Sequence, residues 1–504
     1  MPVSSSEVII LAFAASWLTV VLGRIAYRLY LHPLRDIPGP RLAAATDLYG
    51  FYYNHVRKGM YSRRFSHLHR VYKSPVLRIA PNHVHVNEPA FYEVVFGSRS
   101  KFLKDPSFYR ALDPSGGILS IIDPDEYRQY RSHLSSLFSP RAVSEILPFI
   151  MQELRKLSNA LQARLATGTP VDIQTLFRSL SADILCQSML GHSLDFIDHG
   201  DEGHPFLNTL DKEMANTWIA VHFPGLLKLI SSLPLSIQAM ITPPEFEWFS
   251  KKCNTWLQMA RERRSARAEK QEQKFFDIYL DMESSERRQF SIPDPLVEGG
   301  NLLGAGIDTT SYTLASMVFY LLRSPECLRT LRAELDQHKD LVERAELKPL
   351  QQLPYLTAVI KETLRLIHGS PGCLPRIVPR GGTRVGACFL PEGTVVSISH
   401  PVIQMNDNIF PQPEQFKPDR WLGGENMERW NLAFSKGPRR CIGMNLAYAI
   451  LYSVSAYIFG RFEMKLFRTD DESIMWDDYF VPRNRSHVRV IITRDRWEEE
   501  EVIY

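Results

Sequence analysis

Ten residues near the C-terminus, Phe434-Ser-Lys-Gly-Pro-Arg-Arg-Cys-Ile-Gly443, constrain this chain more than any other stretch. They set one cysteine in a loop that opens onto an apolar run, Met444 to Ile458, whose pattern predicts a helix. Gly437 and Gly443 would allow tight or left-handed turns around it. A sulfur at a helix start, near free amide N–H groups and flanked by Arg439 and Arg440, is favoured as the thiolate, the form that ligates a metal or attacks an electrophile. The plainer reading is a small buried thiol beside a helix cap.

At 504 residues the chain can hold one large domain or two to three ordinary ones. Lys and Arg total 59 against 56 Asp and Glu, a balance that gives no sign of nucleic-acid binding or of an acidic tail. The six cysteines (186, 253, 327, 373, 388 and 441) form no C-x-x-C pair, which argues against a disulfide framework and a zinc site and suits a reducing, cytosol-facing domain.

Residues 1–31 carry an apolar stretch, Val8 to Gly23, that reaches bilayer length if Arg24 and Arg28 extend to the interface. A cleaved signal peptide is the rival reading, but no Lys or Arg precedes the stretch, and Arg24, Arg28 and Arg35 all follow it. Those charges predict a lumenal N-terminus and a cytosolic remainder. Residues 32–41 contain three prolines that forbid a helix and stiffen the exit, a hinge before the domain of residues 42–504.

Alternation in Val76–Ala80 and His83–Val86 predicts a hairpin turning at Pro81-Asn82. Helices are expected from Asp123 to Ser139, with Tyr127 and Arg131 on one face, and over Ser144–Thr167, Gln174–Gly191 and Glu245–Lys274. Lys270 to Ile292 is polar and charge-rich and reads as an exposed connector. Asp294-Pro295 caps a long apolar helix to about Arg323 that contains Ala305-Gly-Ile-Asp-Thr-Thr310. A mid-helix glycine and two polar residues are costly there. Either Gly304 and Gly306 permit close packing while Thr309 bonds back to a carbonyl, or the polar pair has chemistry to perform. Glu362 and Arg365 share a helix face, the usual spacing of a surface ion pair, and Arg420 follows in Phe416-Lys-Pro-Asp-Arg420. Arg131, taken alone, reads as a solvated helix residue.

Phe434, Gly437, Arg439, Cys441 and Gly443 reproduce F-x-x-G-x-R-x-C-x-G, and the chain resembles the cytochrome P-450 monooxygenases in this and in [AG]-G-x-[DE]-T-[TS] at 305–310, E-x-x-R at 362–365 and the Pro-Asp-Arg element at 418–420. The resemblance implies a mostly α fold with a small β portion, the cytochrome P-450 fold, and haem b bound axially by Cys441. It implies that Phe434 shields the sulfur, that Gly443 belongs to the same cofactor loop, and that Arg439, Arg131 and Arg376 reach haem propionates. Tyr127 stands where the family usually has Trp or His, and Gln404 where many relatives have a propionate-binding His, so Gln404 is not counted as a contact. Thr309 would hydrogen-bond dioxygen at the haem and Asp308 would help deliver protons. Glu362, Arg365 and Arg420 would form a buried network behind the haem.

The activity implied is insertion of one oxygen atom from O2 into a lipophilic small molecule, with electrons from a separate NADPH–cytochrome P-450 reductase and the anchor in the endoplasmic reticulum membrane. Phe102–Leu112, Leu302–Ala305, Ser370–Leu374 and Tyr479–Val481 resemble the family's recognition segments and suit a bulky ligand. The chain looks like fungal biosynthetic members that oxidise terpenoids or polyketides. Two alternatives stand beside this: a rearranging or dehydrating haem-thiolate enzyme that needs no reductase, and a membrane haem-binding protein without catalysis.

Overall fold

The computed structural model describes residues 5–265, 274–285, 291–423 and 427–498. Helices dominate it, with small sheets at the periphery. The Ser5–Ala26 helix is exposed along its length, and Val8–Leu31 is long and apolar enough to cross a membrane, with mean hydropathy 2.1. Its exit is tied to the domain. Arg78, fully buried, donates to the Arg28 carbonyl at 2.8 Å, and its own N–H donates to Pro38 O at 2.8 Å. The proline segment is therefore strapped to the first strand rather than free.

That strand, Val76–Ala80, pairs antiparallel with His83–Val86, as the alternation predicts. His83–Val86 then runs parallel to Val395–Ser397, which pairs with Arg376–Ile377, and that strand with Leu103–Lys104. Pairing across nearly 300 residues of sequence brings Lys104 and Arg376 side by side.

The predicted helices form at Pro124–Leu134 (continued by a 3-10 turn to Phe138), Pro140–Thr167, Ile173–Leu190 and Pro244–Ser265; the expected extension to Lys274 falls outside the described residues. The connector expected over 270–292 is corrected in part. Phe275–Ser284 is a helix whose Phe275, Phe276, Ile278, Leu280 and Met282 are buried in the main core. Flanking charges masked an apolar run of helical length.

The Pro295–Arg323 helix begins where expected, with Asp294 Oδ1 accepting from Leu296 N at 2.8 Å. Gly306 explains part of its sequence, because a Cβ there would lie 2.7 Å from Leu185 of the crossing Ile173–Leu190 helix. Gly304 has no such contact, its nearest neighbour, Leu210, being 4.0 Å away.

Glu362 and Arg365 are no surface pair. Both are fully buried, and Arg365 donates through Nε and Nη2 to the two Glu362 oxygens at 2.9 and 2.8 Å. Arg420 Nε, Trp421 Nε1 and the Lys417 amide complete the carboxylate's partners at 3.1, 2.9 and 2.9 Å, and Arg365 also donates to Gln404 O at 2.9 Å. A buried charge pair holds only when its remaining donors and acceptors are met in this way.

Candidate active site

A cavity of about 1520 Å³, its open mouth included, is walled by Leu302, Ala305, Gly306 and Thr309 of the long helix and by Phe434, Cys441 and Gly443 of the cysteine loop. Phe480, Val481, Leu119 and Leu185 add apolar surface from other parts of the chain. Gly437 is left-handed (φ +66), and a Cβ on it would lie 2.3 Å from Phe96 O, so only glycine fits. Gly443 does not need that freedom: its φ is −83, and it caps the Met444–Arg461 helix.

Cys441 is exposed, yet burial is the first cause that raises its thiol pKa. Both hold because the surface it shows is the wall of an internal cavity that opens to the outside. The Gly443 N–H and Arg131 act in the opposite direction, towards thiolate. Arg439 and Arg440 do not supply the expected charge. Arg439 instead donates to the carbonyls of Ile121 and Ile122 at 2.7 and 2.8 Å and lies 3.6 Å over the Tyr127 ring.

Three cations reach the wall: Lys104, Arg376 and Arg439. Arg376 donates to Tyr109 Oη at 2.7 Å and Lys104 to Leu119 O at 2.5 Å. Burial, then Arg376, Arg439 and Arg131, push the Lys104 ammonium well below its ordinary pKa. Burial, then Arg376, brings Arg439 down to about 10. No Asp or Glu stands among the described residues of this positive wall. Arg131 is not on it: its guanidinium is spent on Tyr127 Oη at 2.7 Å and Arg440 O at 2.8 Å, behind the loop. Lys104 and Tyr109 line the cavity from within the 102–112 segment, though nothing singles out either residue there, and His400 lines it without any signal in the sequence around it, whereas Gln404 is buried against His368 and does not line it.

Thr309 lines the cavity and donates to Ala305 O at 2.8 Å. Asp308 faces elsewhere. Consecutive helix residues are rotated by about 100°, and Asp308 turns to Arg178, which donates through Nε at 3.0 Å and sits 2.8 Å away through Nη2. Arg178 also lies 3.3 Å from Asp211, itself paired with Arg483. No motif or spacing signals this ladder.

The family model for cytochrome P450 matches residues 44–486. The chain belongs to the cytochrome P450 family. It is 44% identical over 477 residues to the cytochrome P450 monooxygenase phqM of Penicillium fellutanum, covering 93% of this chain and 89% of that protein. It is 40% identical to the cytochrome P450 monooxygenase cloA of Claviceps purpurea, over 94% of this chain and 93% of the other. A cloA of Claviceps fusiformis described as inactive is 37% identical over 99% of this chain and 97% of its own length. Relatives this similar include one without activity, so the roles of individual residues rest on this chain's own geometry.

Cytochrome P450 monooxygenases use haem whose iron is held by a cysteine thiolate. The residues here fit that group. A sulfur faces a large, mostly apolar cavity, and three basic side chains with no carboxylate among the described lining residues stand on the same wall.

Proposed function

We propose that this cytochrome P450 oxidises a lipophilic intermediate of secondary metabolism, a terpenoid or polyketide, with electrons from NADPH–cytochrome P-450 reductase, while anchored by residues 1–31 in the endoplasmic reticulum membrane. The observation that carries the catalytic reading is Cys441 on the wall of the same cavity as Thr309. When bound, haem supplies activation of O2 and transfer of one oxygen atom to the substrate.

The chain's residues do the rest. Cys441 Sγ would hold the haem iron, Phe434, its ring 5.0 Å from Tyr448, would shield the sulfur, and Gly443 offers it an N–H that favours the thiolate. Arg376 and Arg439, joined by Lys104, would hold the propionates, and Arg131 braces the loop through Arg440 O. Leu302, Ala305, Leu185 and Phe480 exclude water and hold an apolar substrate. Thr309 Oγ1 presents a hydroxyl to the reacting space while its own proton rests on Ala305 O. Asp308, seated on Arg178 and turned from the cavity, fixes this turn of the long helix against the Ile173–Leu190 helix and so positions Thr309.

Thr309→Ala tests the division of labour. The loss of one back-bond should alter stability by about 1 kcal/mol. The ratio of product formed to NADPH consumed should fall sharply, with peroxide rising and the carbon monoxide spectrum unchanged. A variant as tightly coupled as the parent would make Thr309 structural and favour the reductase-independent rearrangement instead.

The anchor has its own test. Full-length protein expressed in microsomes should stay in the pellet after carbonate extraction, with its C-terminus open to protease outside. Release into the supernatant would contradict the span.

A further inference from the structure

Part of the cavity wall comes not from a helix but from Leu119 in the segment 113–121, and that segment is held by a carboxyl that the chemistry above does not use. Glu298, in the first turns of the long helix and 1% exposed, accepts through Oε1 from Ile118 N at 3.0 Å and from Tyr130 Oη at 3.3 Å. Its other oxygen, Oε2, has no hydrogen-bond partner among the described residues. Asn301, on the same helix, donates to Asp113 Oδ1 at 3.1 Å, and Ser120 donates to Asp113 Oδ2 at 3.0 Å. Between Ile118 and Ser120, Leu119 faces the cavity, its carbonyl held by Lys104.

We propose that Glu298 is a positioning residue that latches the segment 113–121 through the Ile118 amide, and that this latch sets how readily molecules enter and leave the cavity.

The latch is built to be reversible. A Cβ on Gly117 would lie 1.8 Å from Glu298 Oε2 and 3.2 Å from Asp113 Oδ2. The two carboxyl oxygens are thus no more than about 5 Å apart, close enough for like charges to disfavour double ionisation. The groups that face Glu298 are Asp113 and Tyr130, with Lys104 beyond Asp113 and Tyr279, from the Phe275–Ser284 helix, beyond Tyr130. Burial first, then Asp113, raise the Glu298 carboxyl to about 7, against the pull of the Ile118 N–H and Tyr130. The closed wall therefore binds a proton that an open, solvated wall releases. Closure is strongest near the ordinary carboxyl pKa and weakens as pH rises to about 7.

The test uses the full-length haem-loaded protein, hydrogen exchange across 113–121, and 4-phenylimidazole as cavity probe at pH 5.5 and 7.5. Glu298→Ala removes the acceptor, and should speed Ile118 amide exchange and weaken probe binding about tenfold. Glu298→Gln keeps an acceptor and loses the charge. Its Ile118 protection factor and its affinity for the neutral form of the probe at pH 7.5 should match the parent's at pH 5.5, and neither should change with pH. An alanine variant with parental exchange, or a glutamine variant that keeps the parent's pH profile, would overturn the latch. The inference rests on the cavity as the substrate pocket. Exchange reports the latch independently, and the carbon monoxide spectrum reports the haem reading, so each fails separately.

Discussion

Cys441→Ala should abolish the red-shifted Soret band of the reduced carbon monoxide complex and with it all oxygen insertion, while the apo chain keeps its fold. The sulfur lies on a cavity wall, so its removal costs the apo protein under about 1 kcal/mol. What is lost is the axial electron donor, which no neighbour replaces: the other cysteines stand at 186, 253, 327, 373 and 388, and none lines the cavity. Burial raises the free thiol, so deprotonation is completed by the metal, as happens to a coordinating thiol. The measurement is the spectrum beside far-UV circular dichroism. A Cys441→Ala protein that retains the shifted band would remove the assignment.

Arg365→Ala should be the most damaging substitution outside the cavity. It leaves Glu362, with no exposed surface, paired only to Arg420, Trp421 and the Lys417 amide. Breaking a buried pair on one side costs about 3–5 kcal/mol, a large part of a typical folding free energy of 5–15 kcal/mol. The Arg365 bonds to Gln404 O and Gln415 O disappear as well. The expected result is little or no haem-loaded protein and a lowered thermal midpoint. Parental melting and haem content would show that the network is dispensable. Arg365→Lys should be nearly as harmful, since an ammonium cannot reproduce the two parallel bonds.

Features set by local rules were legible. The Asp294 cap, the hairpin at Pro81-Asn82 and the helix after Cys441 each depend on residues within a few positions of one another. The Phe275–Ser284 helix was missed because polar neighbours hid five buried apolar residues that matter only against a core built elsewhere.

The sequence by itself determined which residues stand in the cysteine loop, the Thr309 turn and the Glu362–Arg365 pair, because motif spacing is a property of the chain. Tertiary structure alone decided where side chains point. Helical rotation separates Asp308 from its neighbour and delivers it to Arg178, a residue 130 positions earlier. Sheet pairing brings Lys104 beside Arg376, while Arg131 is held behind the loop by Tyr127 and Arg440. The segment 113–121 becomes a wall only because Glu298 and Asn301 meet it from about 180 residues away. Direction and partnership depend on crossings between distant elements, and a linear pattern holds no record of them.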